Sequence, residues 1–420
     1  MKQIFVVFLF LAISPAAAFA APKTTAIVDA KIVVSPTKTI AKGTVLFRGG
    51  KIVAAGAKIR VPANAKRING TGKTVTAGLI EASSRVGMVE VGLVSHTNEG
   101  SFQTSEGKND IHASYLIPDG FNPNSVAIPI TRTGGVTNAV IIPSGGLISG
   151  AAAFYDLSGS YLPEKETAAL VANLGMESRK SGMGSRGRAL ERLRDVFGDA
   201  ELYAKKRKNF EANQLRSLAA SYQDLAVMGN VLNGRVPLIV NVNRASDINA
   251  ALRLKNKWKK LRLIISGGTE AWMVAEKLAK AKVPVLVNPT ANLPSNFDRT
   301  QVRNDNVALL ERAGVRVVLS QLGEQSNARN LRQIAGVAVS YGLSKEKALA
   351  SVTTLPASIF GLKKHGALRK GNFANLVIWS GDPFELSTRA ERVFIKGREM
   401  SLETRQSALR ERYRQLPSRK

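Results

Sequence analysis

Six apolar runs of four or five residues recur along the middle of this chain, at 76–80, 138–142, 238–242, 263–266, 283–287 and 315–319. Helical patterns follow several of them, at 245–254, 270–281 and 306–313. Strands that are apolar throughout, separated by amphipathic helices, imply a parallel sheet covered on both faces. So many units over about 290 residues favour an α/β fold closed as a (β/α)8 TIM-like barrel at 76–365. An open two-layer sheet is the alternative on pattern alone, and two of the eight strands have no clear run.

The ends of the chain read differently. Residues 26–34, 44–47 and 51–55 are rich in Val and Ile, with Gly49-Gly50 as a hairpin turn between the last two. These strands are too few to bury a core alone. Their partners are expected at 376–379 and 392–395, so residues 21–75 and 366–400 would form one composite β-sandwich domain. Residues 162–230 break the β/α rhythm as a charged, largely helical insertion with a Gly/Ser-rich break at 181–187. Residues 401–420 read as a basic helix without a strong apolar face.

Lys2, the apolar run 4–13 and Ala18-Phe19-Ala20 have the order of a secretory signal peptide over 1–20, so an exported, periplasmic protein is expected. No later segment is a transmembrane candidate. The absence of cysteine excludes a disulfide framework, a thiolate-held metal and a thiol nucleophile. The formal charge is +29, from 60 basic and 31 acidic residues, and the basic ones are dense at 179–194, 205–216 and 255–262. Such a field favours anionic envelope polymers as partners. Trp258 stands nearly alone among the lysines, which argues against specific nucleic-acid binding.

Three stretches resemble the amidohydrolase superfamily of metal-dependent hydrolases. GTVL at 43–46 and GKIVAAG at 50–56, within 29–56, look like its opening sheet. TAGLIEA at 76–82 is similar to its first barrel strand. ALASVTTLPASIFG at 348–361, GALRKG at 366–371, FANLVI at 373–378 and GDP at 381–383 resemble the ending of imidazolonepropionase-like members. The resemblance covers roughly residues 25–400.

What it implies about the site conflicts with the residues present. The superfamily's first strand is followed by His-x-His, and the matching positions here are Ser83 and Arg85. The histidine expected after the fifth strand falls on Asn241. The one after the sixth falls at Ser266-Gly267-Gly268, and the aspartate after the eighth near Ser320-Gln321. Serine is a poor divalent-metal ligand and arginine brings a fixed positive charge. No cofactor is therefore expected. Arg85, Asn241, Asn243, Arg244, Gly267 and Gly268 could instead form a donor-rich anion cup. The plain alternative is that Arg85 fills the place of the metal and pairs with Glu81 or Glu270.

The chain has three histidines, His96, His112 and His365. A zinc site relocated to His96 and His112, with a carboxylate such as Glu90, Glu99, Glu106, Asp110 or Asp119, is the other way to hold a metal. The leading expectation is a pseudoenzyme: a non-catalytic binding or partner subunit, beside a paralogous amidohydrolase or a second copy of itself. The alternatives are an active hydrolase of non-peptide carbon–nitrogen bonds, with Glu81, Glu270 or Glu324 as base, and a binder of anionic envelope polymers.

Overall fold

The structure, a computed structural model, describes residues 23–102, 110–178, 184–212, 214 and 216–414. The expected signal peptide at 1–20 and Glu106 lie outside the described residues. Two eight-stranded sheets organise the chain. The first begins with β1 (Thr25–Ser35), β2 (Lys38–Arg48), β3 (Lys51–Gly56), β4 (Lys66–Asn69) and β5 (Thr74–Ala77). The second comprises β6 (Leu79–Ser84), β7 (Val136–Ile141), β8 (Ile148–Asp156), β9 (Lys165–Asn173), β10 (Leu238–Val242), β11 (Leu263–Gly267), β12 (Val285–Val287) and β13 (Val317–Leu319). The chain then returns to the first sheet with β14 (Leu376–Trp379), β15 (Ala390–Ile395) and β16 (Arg398–Met400).

The first sheet runs β16-β15-β14-β5-β1-β2-β3, with β4 beside β1. Its two halves meet where β14 pairs antiparallel with β5, Leu376 opposite Ala77 and Trp379 opposite Thr74. The composite of both chain ends is thus one continuous sheet. Phe47 of β2 and Phe394 of β15 have ring centroids 5.4 Å apart although three strands lie between them. Strands are spaced about 4.8 Å, so a flat sheet would hold these rings far apart. The sandwich is a single sheet folded over a core of Ile27, Ile32, Val45, Phe47, Ile52 and Phe394.

In the barrel sheet, β6 runs parallel to β7, and β9 to β13 form parallel pairs in sequence order. The two strands missing from the apolar pattern are β8 and β9. Strand β8 is antiparallel to both neighbours, β7 and β9, so the eight strands are not eight identical β/α units. Residues 162–230 correspondingly need correction: their first part, Lys165–Asn173, is a barrel strand. Its sequence KETAALVAN and the ISGAAAFYD of β8 are rich in Ala, which has little intrinsic strand preference. Burial against β10 overrides that preference. The helical part follows as Arg186–Lys205 and Tyr222–Leu232, which pack on each other and bury Leu193, Val196, Phe197, Leu225, Met228 and Val231.

The barrel interior is apolar at its centre, with Ile80, Val140, Phe154, Val171, Ile239, Ile264, Leu286 and Val318 facing one another. Its lower end is stoppered by the helix Thr354–Ile359, whose Ala357, Ile359 and Phe360 join that cluster. The last carbonyls of this helix accept from cations: Lys165 Nζ to Phe360 O at 2.7 Å and Arg262 to Ile359 O at 3.0 Å. Positive charge at a helix C-terminus complements its dipole. Burial, and then the nearby Arg262 charge, hold the Lys165 pKa below its usual range.

The run expected at 76–80 is divided at Gly78, which hands the chain from the small sheet to the barrel. A Cβ at Gly78 would lie 2.2 Å from Thr137 Oγ1, so only glycine lets β6 come this close to β7. Trp379 fastens the two sheets together. It is fully buried, donates Nε1 to Thr76 Oγ1 at 2.9 Å and lies against Gly135, where a Cβ would meet its ring at 2.1 Å. Trp379→Ala should destabilise the protein by about 3–5 kcal/mol, as buried aromatic truncations do. Denaturant unfolding measures it, and a loss under about 1 kcal/mol would mean the two sheets do not depend on this contact.

Candidate functional site at the barrel mouth

The strands end in polar residues at the rim opposite the stopper. Asn173, Asn241 and Ser266 stand in register across β9, β10 and β11, and the backbone N–H of Leu174 donates to Asn241 O at 3.0 Å. Asn241 Nδ2 donates to Asn173 Oδ1 at 2.8 Å, and Asn173 Nδ2 donates to Gly146 O and Ser149 Oγ, each at 2.9 Å. On the next strands Asn288 Nδ2 donates to Gln321 Oε1 at 3.2 Å, while Asn288 Oδ1 accepts from the backbone N–H of Thr290 at 3.0 Å. Linked carboxamides therefore line this part of the mouth.

Glu81 governs the adjoining seam. Among the described residues no ladder joins β13 to β6, and side chain and loop close the barrel there. The Glu81 carboxylate accepts from the Ser320 hydroxyl, from Gln321 N at 3.2 and 3.3 Å, and from Ser83 N at 3.2 Å. Gly323 N donates to Ser83 O at 2.8 Å one step further up. Glu81 is fully buried, and burial outweighs these hydrogen bonds, pushing its pKa from 4.5 to about 7.

The expected site residues can now be placed. Ser83 is buried and its Oγ has no hydrogen-bond partner among the described residues. Arg85 pairs with neither Glu81 nor Glu270; its Nε donates to Gly323 O at 3.0 Å. Glu270 is saturated by Ala245 N, Thr300 N, Thr300 Oγ1 and Gln301 N at 3.0–3.2 Å. Glu324 is exposed. Several donors of the expected anion cup are engaged by other partners. Arg244 turns to Ser246 Oγ at 2.5 Å and lies 3.8 Å from Asp247, Gly268 N donates to Val242 O at 2.8 Å, and Asn243 Oδ1 accepts from Thr269 Oγ1 at 3.3 Å.

The histidines lie elsewhere. His96 is exposed in a short 3-10 turn, Ser95–Thr97. His112 lines a cleft with Asp110, Arg192 and Asp224, and Arg192 holds Asp110 at 3.3 Å. His365 is buried between Phe154 and Phe373, with Nε2 2.9 Å from Glu164. Among the described residues no group of three or more His, Asp or Glu is arranged to hold a metal ion.

The comparisons with known proteins agree with this architecture. The model of the amidohydrolase family matches residues 256–400. A crystal structure of an amidohydrolase from Thermotoga maritima is 28% identical, covers 90% of this chain and 99% of its own, and superposes with a TM-score of 0.81. In all three comparisons the chain is similar to the amidohydrolase superfamily. The curated amidohydrolase tasK of Hapsidospora irregularis is 24% identical over 84% of this chain, which spans 39% of that protein's length. The structure of a molinate hydrolase, 18% identical over 91% of this chain and 96% of its own, shares the fold with a TM-score of 0.56.

In this amidohydrolase-like chain the pattern missed from sequence is a repeated one. Asn173, Asn241 and Asn288 each follow an apolar strand run, in ALVAN, LIVN and VLVN. Three strands ending in the same carboxamide were a legible sign of a shared rim.

Because the Glu81 carboxyl titrates at about 7 when folded and near 4.5 when exposed, its contribution to stability is full below pH 4.5 and lost as pH rises through 7. The difference is about 3 kcal/mol, from about 1.4 kcal/mol per pH unit. Glu81→Gln keeps an acceptor for Ser320 and Gln321 and should flatten the fall in stability between pH 4.5 and 7.5. Urea midpoints across that range measure it; parallel profiles for variant and parent would refute the assignment.

Proposed function

We propose that this amidohydrolase-like chain is an exported, non-catalytic binding or partner subunit that does not use the superfamily's metal mechanism. One observation carries the reading: of the positions where the resemblance places metal ligands, Arg85, Asn241 and Gln321 are tied to Gly323 O, Asn173 and Asn288. The Asn173–Asn241 pair at 2.8 Å is the clearest case. A hydrolytic metal needs about three imidazole or carboxylate donors converging on one point, with an open position for water. Carboxamides, hydroxyls and the guanidinium of Arg85 do not fit a divalent cation, so no catalytic step is derived through one.

The metal-free alternative, hydrolysis of a carbon–nitrogen bond by a carboxylate base, has weaker support. Glu81 is enclosed at the barrel seam and Glu270 is saturated by four donors. A base must come within hydrogen-bond reach of its proton, which neither geometry favours.

What the mouth offers is recognition. Among the described residues, Ser83 Oγ and Gln325 Oε1 are buried without partners, and Arg85, half-buried, has only its Nε engaged. A buried polar group without a partner costs about 1–3 kcal/mol, which a bound ligand group offsets. A small molecule bearing an amide presents a carbonyl acceptor to Arg85 and an N–H donor to Gln325 Oε1. A related superfamily subunit or a second copy of the chain suits the partner role, in a periplasmic setting.

The mature protein purified without added metal should carry well under one zinc per chain by elemental analysis. About one tightly held transition metal per chain after mild chelation would overturn the proposal. Ser83→His with Arg85→His should not create zinc-dependent amidase activity, since Asn241, Ser266 and Gln321 remain. Gain of such activity by the double variant would mean that other ligands are already in place.

A further inference from the structure

The helix Ala245–Lys257 and the turn after it separate two clefts on the outside of the barrel. One, of about 850 Å³, is lined by Arg253, Lys277 and Lys280 together with Asn249 and Asn256. The other, of about 470 Å³, is lined by Lys205, Lys257, Lys259 and Lys260, with Glu201 as the single acidic residue lining either cleft. All seven cationic side chains are exposed.

Their grouping in two concave clefts, with little acidic compensation, sets them apart. Several basic residues elsewhere have acidic partners within reach, such as Lys42 with Asp29, Lys73 with Glu391, Lys345 with Asp382 and Arg392 with Glu399, whereas others, such as Lys38 and Lys58, stand singly among the described residues. None of the seven cleft residues has an ion pair among the described residues. Lys277 reaches only Asn249 Oδ1, at 3.2 Å, and Lys257 lies over the Trp258 ring at 4.5 Å. Concave walls carrying one sign of charge concentrate the field and draw in counter-ions.

We infer that the two clefts form one binding surface for a flexible polymer bearing repeated phosphate groups, laid across the helix 245–257. Six of the seven cations are lysines, which bind phosphate as point charges without demanding a planar fork. A chain with charges at intervals can settle into both clefts at once. A lipid bilayer is a poorer match, because the surface offers no apolar wedge: Leu232, Leu252 and Trp258 are buried. A single-stranded nucleic acid is a poorer match too, since Trp258, the one aromatic in either lining, is buried and covered by Lys257.

The test measures binding of linear polyphosphate to the mature chain, beside vesicles of phosphatidylglycerol and phosphatidylcholine and a single-stranded oligonucleotide. Replacing Lys259, Lys260, Lys277 and Lys280 with Gln should weaken polyphosphate binding at least tenfold and make log affinity against log salt shallower by about 3. Replacing the exposed Lys38, Lys51, Lys58 and Arg60 with Gln removes the same charge and should leave affinity within about twofold. The corresponding four Lys→Arg changes in the clefts should retain binding, which separates charge loss from misfolding. Equal losses in both Gln variants, no polyphosphate binding by the parent, or tighter binding per phosphate to vesicles or oligonucleotide would overturn the assignment.

Discussion

A buried carboxylate closes the barrel. In most closed sheets the last seam is a backbone ladder like every other, but between β13 and β6 the link is the Glu81 side chain, bound to the Ser320 hydroxyl and the Gln321 N–H. Hydrogen bonds in a low-dielectric interior are strong, and leaving one unmade is expensive. The rim inherits its geometry from this bond. Ser83 and Arg85 lie two and four residues beyond Glu81, and both reach across to Gly323, one through its carbonyl and the other through its guanidinium. Moving Glu81 would move the part of the mouth where the superfamily's first two ligand positions stand.

The same economy links the two sheets. Strands β5 and β6 are separated by Gly78 alone, so the small sheet and the barrel cannot rotate independently at that joint. Trp379, Thr76 and Gly135 fill the space between them. One face of the small sheet covers its own folded core, and the other, through Val377, Trp379, Val393 and Ile395, joins the large core around the barrel. This domain is therefore a wall of the barrel, and the polar mouth lies beyond the opposite end from the helix Thr354–Ile359.

Legibility in the sequence followed burial. Strands β10 to β13 are runs of Leu, Ile and Val, and their period and length declared them. The pairing of the chain ends was legible because Leu376–Trp379 and Thr25–Ser35 each needed a partner. Strands β8 and β9 were not, since Ala-rich segments take their conformation from neighbours distant in sequence. At the site, the identities of Ser83, Arg85, Asn241 and Ser266 were plain, but their bonding was not. Nothing local to Arg85 indicates that it binds the carbonyl of Gly323, 238 residues away. Equally, nothing local to Arg244 and Gly268 indicates that Asp247 and the carbonyl of Val242 engage those donors at short range.

The junction of β14 with β5 has a consequence in time. The first five strands leave the ribosome early, and the partner of β5 lies roughly 300 residues later. At about 5–20 residues per second that interval is about 15–60 s. Throughout it, Val75 and its neighbours present an unfilled edge, and the folded-over core lacks Phe394. Such edges attract other strands. A sheet built this way stays unfinished until β14 arrives, which places a premium on chaperones that cover its open edge.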